Sequence, residues 1–245
     1  MLEIKNLSKT YKNRKKEGNK KAVDNLSITV SAGDIYGFIG HNGAGKTTVI
    51  KCITGILNFD DGEIIIDGHS IKDDPITCKK IFAYIPDKPD LYDFLTGIQY
   101  LNFIADVFEI PSKERTERIK KYADKFEITD SLGNVISSYS HGMKQKLTII
   151  GALIHQPRLM ILDEPFVGLD PKAARMLKET LREVCANGGA VFFSTHVLEV
   201  AEKLCNKISI IKAGKLVVEG DTQELTQNKS LEDVFMDVVN SEERV

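Results

Sequence analysis

"GHNGAGKT", Gly40 to Thr47, decides the fold. It satisfies the pattern G-x-x-x-x-G-K-[S/T] at every fixed position. An apolar run, "DIYGFIG", leads into it, and "KTTVIKCITGIL", with helical spacing, follows it. A strand, a glycine-rich turn and a helix in that order form a cradle for a polyphosphate. Glycines let backbone N–H groups turn inward and come close to the ligand. The helix N-terminus adds a partial positive charge. Gly40, His41, Asn42, Gly43, Ala44, Gly45, Lys46, Thr47 and Thr48 are therefore the expected phosphate-binding stretch. Lys46 is expected to reach the β- and γ-phosphates, and the Thr47 hydroxyl to ligate Mg²⁺.

Downstream, "RLMILDEP" supplies a second half. A nearly all-apolar run delivers Asp163 and Glu164 at its end, where ligands sit in open α/β sheets. Asp163 is expected to hold Mg²⁺ through water. Glu164 is expected to be the base that polarises an attacking water.

The rest of the chain alternates in the same manner. "LEIKNLSKTY" and "AVDNLSITV" read as strands, joined by the polar, basic loop "KNRKKEGNKK". "GEIIIDG" and "KKIFAYIP" read as further strands, the second ending at its proline. "RLMILDE" and "GAVFFSTH" fit parallel strands buried on both faces. Between them "PKAARMLKETLREVCANGG" reads as a helix closed by glycines. "KISIIKAGKLVVEGD" reads as a hairpin turning at Ala213-Gly214, and "SLEDVFMDVV" as a closing helix with Ser230 as its N-cap. From about Asp87 to Gln156 the texture is helical throughout. The expectation is an α/β core interrupted by an all-helical insert.

Composition narrows the classes. Of 245 residues, 42% are hydrophobic and 28% charged, ordinary for a globular chain, and the net charge of -2 offers no basic field for nucleic acid. No run approaches the ~18 apolar residues of a membrane span, and "MLEIKNLSK" is too polar for a secretory leader. A membrane role is therefore expected only through a partner. Cys52, Cys78, Cys185 and Cys205 show no paired spacing and are expected to be reduced and buried.

In order and spacing, "GHNGAGKT", "YSHGMKQ", "LMILDEP", "VGLD" and "STH" resemble the ATP-binding subunits of ABC transporters, over nearly the whole chain. The resemblance implies a P-loop NTPase (RecA-like) core over 1–86 and 157–245, with an N-terminal antiparallel β subdomain and a helical subdomain over 87–156. It implies ATP and Mg²⁺ as ligands. Tyr11 would stack on adenine, although a packing tyrosine fits the same place. Asp170 would couple two sites across a dimer, although a turn before Pro171 is an alternative. His196 would contact the γ-phosphate, and Ser140, His141 and Gly142 would face the ATP bound by the opposite subunit. The partners implied are a transmembrane permease subunit and either a second copy or another ATP-binding subunit. The chain would sit in the cytoplasm, peripheral at the inner face of the membrane, and "YSHGMKQK" resembles the multidrug and antibiotic exporter branch. A soluble ABC-type ATPase acting on ribosomes or DNA, or a non-hydrolysing regulatory cassette, are the competing readings.

The sequence departs from the family pattern at two places. Asp87 stands where a glutamine is usual; it can still ligate Mg²⁺ or its water but cannot donate a hydrogen bond as an amide does. In "SSYSHGMKQK", Ser140 also suits a helix N-cap, ahead of an apolar stripe of Met143, Leu147, Ile150 and Ile154. His141 replaces a glycine, which is harmless at negative φ and strained at positive φ.

Overall fold

The computed structural model describes residues 1–11 and 18–240. Most of the basic loop "KNRKKEGNKK" lies outside the described residues. Two sheets form the frame. Strands β1 (Leu2–Tyr11), β2 (Lys20–Val30), β4 (Asp61–Ile66) and β5 (His69–Ser70) make an antiparallel sheet in the order β2-β1-β4-β5. Strands β3 (Ile35–Ile39), β6 (Phe82–Ile85), β7 (Leu159–Asp163), β8 (Ala190–Thr195), β9 (Lys207–Lys212) and β10 (Lys215–Asp221) make the second, in the order β10-β9-β3-β8-β7-β6. All of its neighbours run parallel except the hairpin partners β9 and β10. Every residue of β3, β7 and β8 is buried, as their unbroken apolar runs require.

Register positions the site. Ile39 pairs with Thr195, and Asp163 pairs with Ser194, so β3, β7 and β8 end at one edge of the sheet. Gly40, Glu164 and His196 are the first residues beyond those ends. Three segments distant in sequence therefore meet because parallel strands stop together.

Nine α-helices connect the strands among the described residues: α1 (Lys46–Ile53), α2 (Pro75–Ile81), α3 (Gly97–Val107), α4 (Ser112–Lys125), α5 (His141–Leu153), α6 (Pro171–Ala186), α7 (Leu198–Leu204), α8 (Thr222–Leu225) and α9 (Leu231–Asn240). Several starts have a local cause. Thr96 and Gln99 form a reciprocal capping box ahead of α3. Asp170 caps α6 with Pro171 at its first position. Ser230 accepts the Asp233 N–H at 3.1 Å before α9. Ala213 and Gly214 adopt φ of 48° and 82°, the left-handed pair of a tight hairpin.

The structure differs from the sequence reading at Lys20 and Lys21, which open β2 rather than end the loop, and in three further places. Lys79, Lys80 and Ile81 are not strand; they finish α2, which Asp74 caps through the Thr77 N–H at 3.3 Å. Only Phe82–Ile85 pairs with β7. The helix after the glycine loop stops at Ile53 rather than reaching Leu57, because Gly55 turns left-handed at φ 67°. The stretch 87–156 is not helical throughout: two single-turn 3-10 helices, Thr129–Ser131 and Ile136–Ser138, and a Thr96–Val135 bridge interrupt it.

The helical stretch has no core of its own. Leu101, Phe126 and Leu147 belong to one continuous apolar cluster with Ile39, Leu162 and Phe193 of the sheet. The other face of the sheet packs Phe38, Ile161 and Phe192 against α1 and the antiparallel strands. All four cysteines are free and buried, and burial pushes the Cys205 thiol far up. Leu147 is fully buried where insert meets sheet. Leu147→Ala is expected to cost about 2–5 kcal/mol in urea denaturation. Because the core is shared, the variant is expected to unfold in one transition followed equally by fluorescence and circular dichroism.

Candidate nucleotide-binding site

The glycine loop is shaped by its backbone. Gly43 and Gly45 adopt φ of 83° and 116°, and a Cβ on Gly45 would lie 2.6 Å from the Ala22 carbonyl. Only glycine fits that approach. The loop is tied by the Ala44 N–H to the His41 carbonyl at 3.1 Å and by the Gly214 N–H to the Ala44 carbonyl at 2.8 Å. Lys46 opens α1 and is almost wholly buried. Its ammonium donates to the Gly40 carbonyl at 2.6 Å and pairs with Glu164 Oε1 at 3.4 Å.

Asp163 ends β7 at 1% exposure. A carboxylate that deep needs donors on its oxygens. Oδ2 accepts the Thr47 hydroxyl at 2.8 Å, and Oδ1 accepts the Ser194 hydroxyl. Glu164 adopts φ 50°, a left-handed conformation that a non-glycine residue takes only when its surroundings hold it there. Its N–H is shared between the Ser194 carbonyl and hydroxyl, both at 3.2 Å. Its Oε2 meets His196 Nδ1 at 2.9 Å and, more weakly, the His196 N–H at 3.4 Å.

A cavity of about 310 Å³ opens over Lys46, Asp163 and Glu164; His196 does not line it. Tyr11, His41, Asn42, Gly43, Gly45, Lys46, Thr47, Thr48, Asp87, Asp163 and Glu164 all line it, as do Lys20 and Ala22. Tyr11 stands at its rim, about two-fifths exposed, with its hydroxyl 3.5 Å from Thr48 Oγ1. Gly40 and Ala44 lie behind the lining as loop framework. Asp87 follows β6 into the same space; burial, then the charges of Asp163 and Asp87, push the Tyr84 hydroxyl up to about 12. Ser194 and Lys20 were not singled out in the sequence. Ser194 was visible as the serine of "STH"; Lys20 was hidden among the other lysines of its loop.

The donor set fits a nucleoside triphosphate with Mg²⁺. A buried ammonium, a helix N-terminus and inward-facing loop amides suit phosphates. The Thr47 hydroxyl and the carboxylates of Asp87 and Asp163 are the hard oxygen ligands Mg²⁺ prefers. Among the described residues no group of three or more His, Cys, Asp or Glu forms a metal cage. A Mg²⁺ here would complete its shell with phosphate and water oxygens, its usual habit.

The remaining site candidates lie elsewhere. Ser140, His141, Gly142 and Asp170 do not line this cavity. Ser140 caps α5 by accepting the Met143 N–H at 3.2 Å. His141 is the first residue of α5 and is absent from the positive-φ residues, so the imidazole replaces glycine without backbone strain. Asp170 caps α6 through the Ala173 N–H at 2.8 Å and pairs with Lys146 at 3.2 Å. Those two partners hold its carboxyl below the usual carboxylate range.

A parallel sheet with this loop at its carboxyl edge and Asp163 beside it defines a P-loop NTPase. The comparisons place it more finely. Residues 23–167 match the ABC transporter family. A solved ATP-binding subunit of an ABC transporter superposes with a TM-score of 0.91 at 33% identity, covering 98% of this chain and 99% of that one. YhcH, an ABC transporter ATP-binding protein of Bacillus subtilis (strain 168), is 34% identical over 89% of this chain and 68% of its own length. LnrL, a linearmycin resistance ATP-binding protein of the same organism, is 32% identical over 92% of this chain and 70% of its own. The chain belongs to the ABC transporter ATP-binding family.

Two substitutions test the metal assignment. Thr47→Val keeps shape and removes the hydroxyl; Mg-ATP affinity is expected to fall about tenfold or more while metal-free ATP binding changes little, read by equilibrium dialysis with and without chelator. Asp87→Asn is expected to raise the Mg²⁺ concentration needed for half-maximal Mg-ATP binding. Unchanged Mg²⁺ titrations would remove Asp87 from the metal's surroundings.

Proposed function

We propose that this chain hydrolyses Mg-ATP as one half of a head-to-tail pair and drives transport through a separate membrane permease. One observation carries the reading. Ser140, His141 and Gly142 stand at a helix N-terminus, a phosphate-binding arrangement, yet line no part of their own chain's P-loop cavity. They fit the γ-phosphate of ATP held by a second chain, whether an identical copy or another ATP-binding subunit.

The chemistry follows from the residues. Water attacks the γ-phosphorus, the bond to the β–γ bridging oxygen breaks, and ADP and phosphate leave. Glu164 accepts the water's proton. That carboxylate is engaged by Lys46 and His196. A triphosphate carries more charge than one carboxylate and competes for Lys46, which releases Glu164 to work as a base. His196 stays within hydrogen-bond distance of Glu164. Bound Mg²⁺, held by Thr47, Asp163 and Asp87, would neutralise phosphate charge.

Coupling to a permease is supported by the surface after Asp87. Tyr92, Phe94 and Phe103 are exposed and pack on one another, with ring centroids 6.0 and 5.7 Å apart. An exposed aromatic cluster marks a partner surface. Tyr92 and Phe94 lie on the segment joining the nucleotide cavity to α3, and Phe103 lies on α3, so a permease seated there would feel movement of Asp87. Among the described residues no helix is long and apolar enough to cross a membrane, so the permease supplies the span and holds this chain at the inner membrane face. Export is the favoured direction because of the likeness to LnrL, whose name is that of a resistance protein.

Glu164→Gln tests the reading. The variant is expected to bind Mg-ATP, to lose about 10²-fold or more in turnover, and to elute as a dimer in light-scattering chromatography when ATP is present. Wild-type turnover in this variant would show that Glu164 is not the base. A monomer at saturating ATP would reject the paired site.

A further inference from the structure

Gln145 is a buried polar side chain that the chemistry above leaves unused. It is fully buried, and among the described residues neither its amide nitrogen nor its amide oxygen has a hydrogen-bond partner. An amide brings two donors and an acceptor. Leaving all of them unmade inside a packed protein is rare enough to need a reason.

Its place on α5 supplies one. A helix advances about 100° per residue, so Gln145 projects about 40° from His141, with Gly142 at about 100° and Lys146 at about 140°. Gln145 therefore shares a face with three residues that touch the loop 164–170. The His141 ring lies over Gly168, where a Cβ would come within 2.5 Å of it. Gly142 backs onto the Gly168 carbonyl, which a Cβ there would meet at 3.3 Å. Lys146 holds Asp170 at 3.2 Å. Within the loop the Val167 N–H reaches the Glu164 carbonyl at 3.2 Å, the Leu169 N–H reaches the Phe166 carbonyl at 3.4 Å, and Gly168 adopts φ 80°.

We propose that Gln145 is a positioning residue for the paired state. Its amide bonds the backbone of loop 164–170 only after two nucleotide-loaded chains close. Its unmade bonds destabilise the nucleotide-free form and so favour pairing. The inference rests on the head-to-tail reading above and assigns the loop a second hold that α5 lacks before ATP binds.

The test uses Gln145→Met, close in shape but without an amide, in the Glu164→Gln background. The nucleotide-free double variant is expected to melt no lower than its parent, while the ATP concentration for half-maximal pairing rises about tenfold or more. Fluorescent ATP binding to the monomer, at protein concentrations too low to pair, is expected to be unchanged. Equal pairing by parent and double variant overturns the inference and leaves the paired site standing. A lower melting temperature also overturns it, since the amide would then already be bonded without nucleotide. A parent that never pairs removes the paired site and this inference together. Side-chain amide exchange, followed by NMR in the Glu164→Gln protein, is independent of whether the double variant folds. Protection of the Gln145 amide that appears only with ATP supports the assignment, and equal protection in both states overturns it.

Discussion

The buried carboxylate of Asp163 is the constraint around which the site is arranged. Both of its oxygens are occupied by hydroxyls, one from α1 and one from β8. Those two bonds tie the glycine loop, the strand that carries Glu164 and the strand that leads to His196. They also place a negative charge deep at the edge of the sheet, where it is compatible with folding only if it is hydrogen-bonded. A site built on such a charge is prepared for cations. Lys46 is one; a metal carried in with phosphates is another.

Glu164 shows the complementary constraint. Its left-handed backbone directs its side chain between Lys46 and His196. Register alone could not do this, because a residue continuing the strand would point to one face of the sheet or the other. The turn at Glu164 takes the carboxylate off that alternation and sends it across the strand ends. The same turn starts the loop that packs on α5, so the cavity and the contact with α5 share seven residues of backbone.

Much of this was legible in the sequence because it depends on local pattern. The glycine loop, Asp163 and Glu164 announce themselves through residue type and spacing, and the buried strands through unbroken apolar runs. Elements that depend on a few residues were less visible. The strand ending at Ile85 and the helix α2 before it share one apolar stretch, and a seven-residue helix leaves too little periodicity to separate them. Side-chain partnerships were hidden altogether. Ser194 matters because β8 lies beside β7, and Lys20 because β2 ends over the cavity. Gln145 was not singled out in the sequence; only packing shows it fully buried with no partner for its amide among the described residues. The question His141 raised was settled by backbone: it is helical, so what replaced a glycine changed the ring on Gly168 and not the chain path.

The continuous core between helical insert and sheet has a consequence for how this fold can be altered. An insert joined only by its two ends could be exchanged between relatives like a cartridge. Here Leu101, Phe126 and Leu147 interlock with Ile39, Leu162 and Phe193, so a transplanted insert would arrive with the wrong relief on its inner side. Divergence is therefore steered to the outer surface, such as the exposed rings of Tyr92, Phe94 and Phe103, where residues change without disturbing the contacts beneath. The inner surface drifts only when both sides change together.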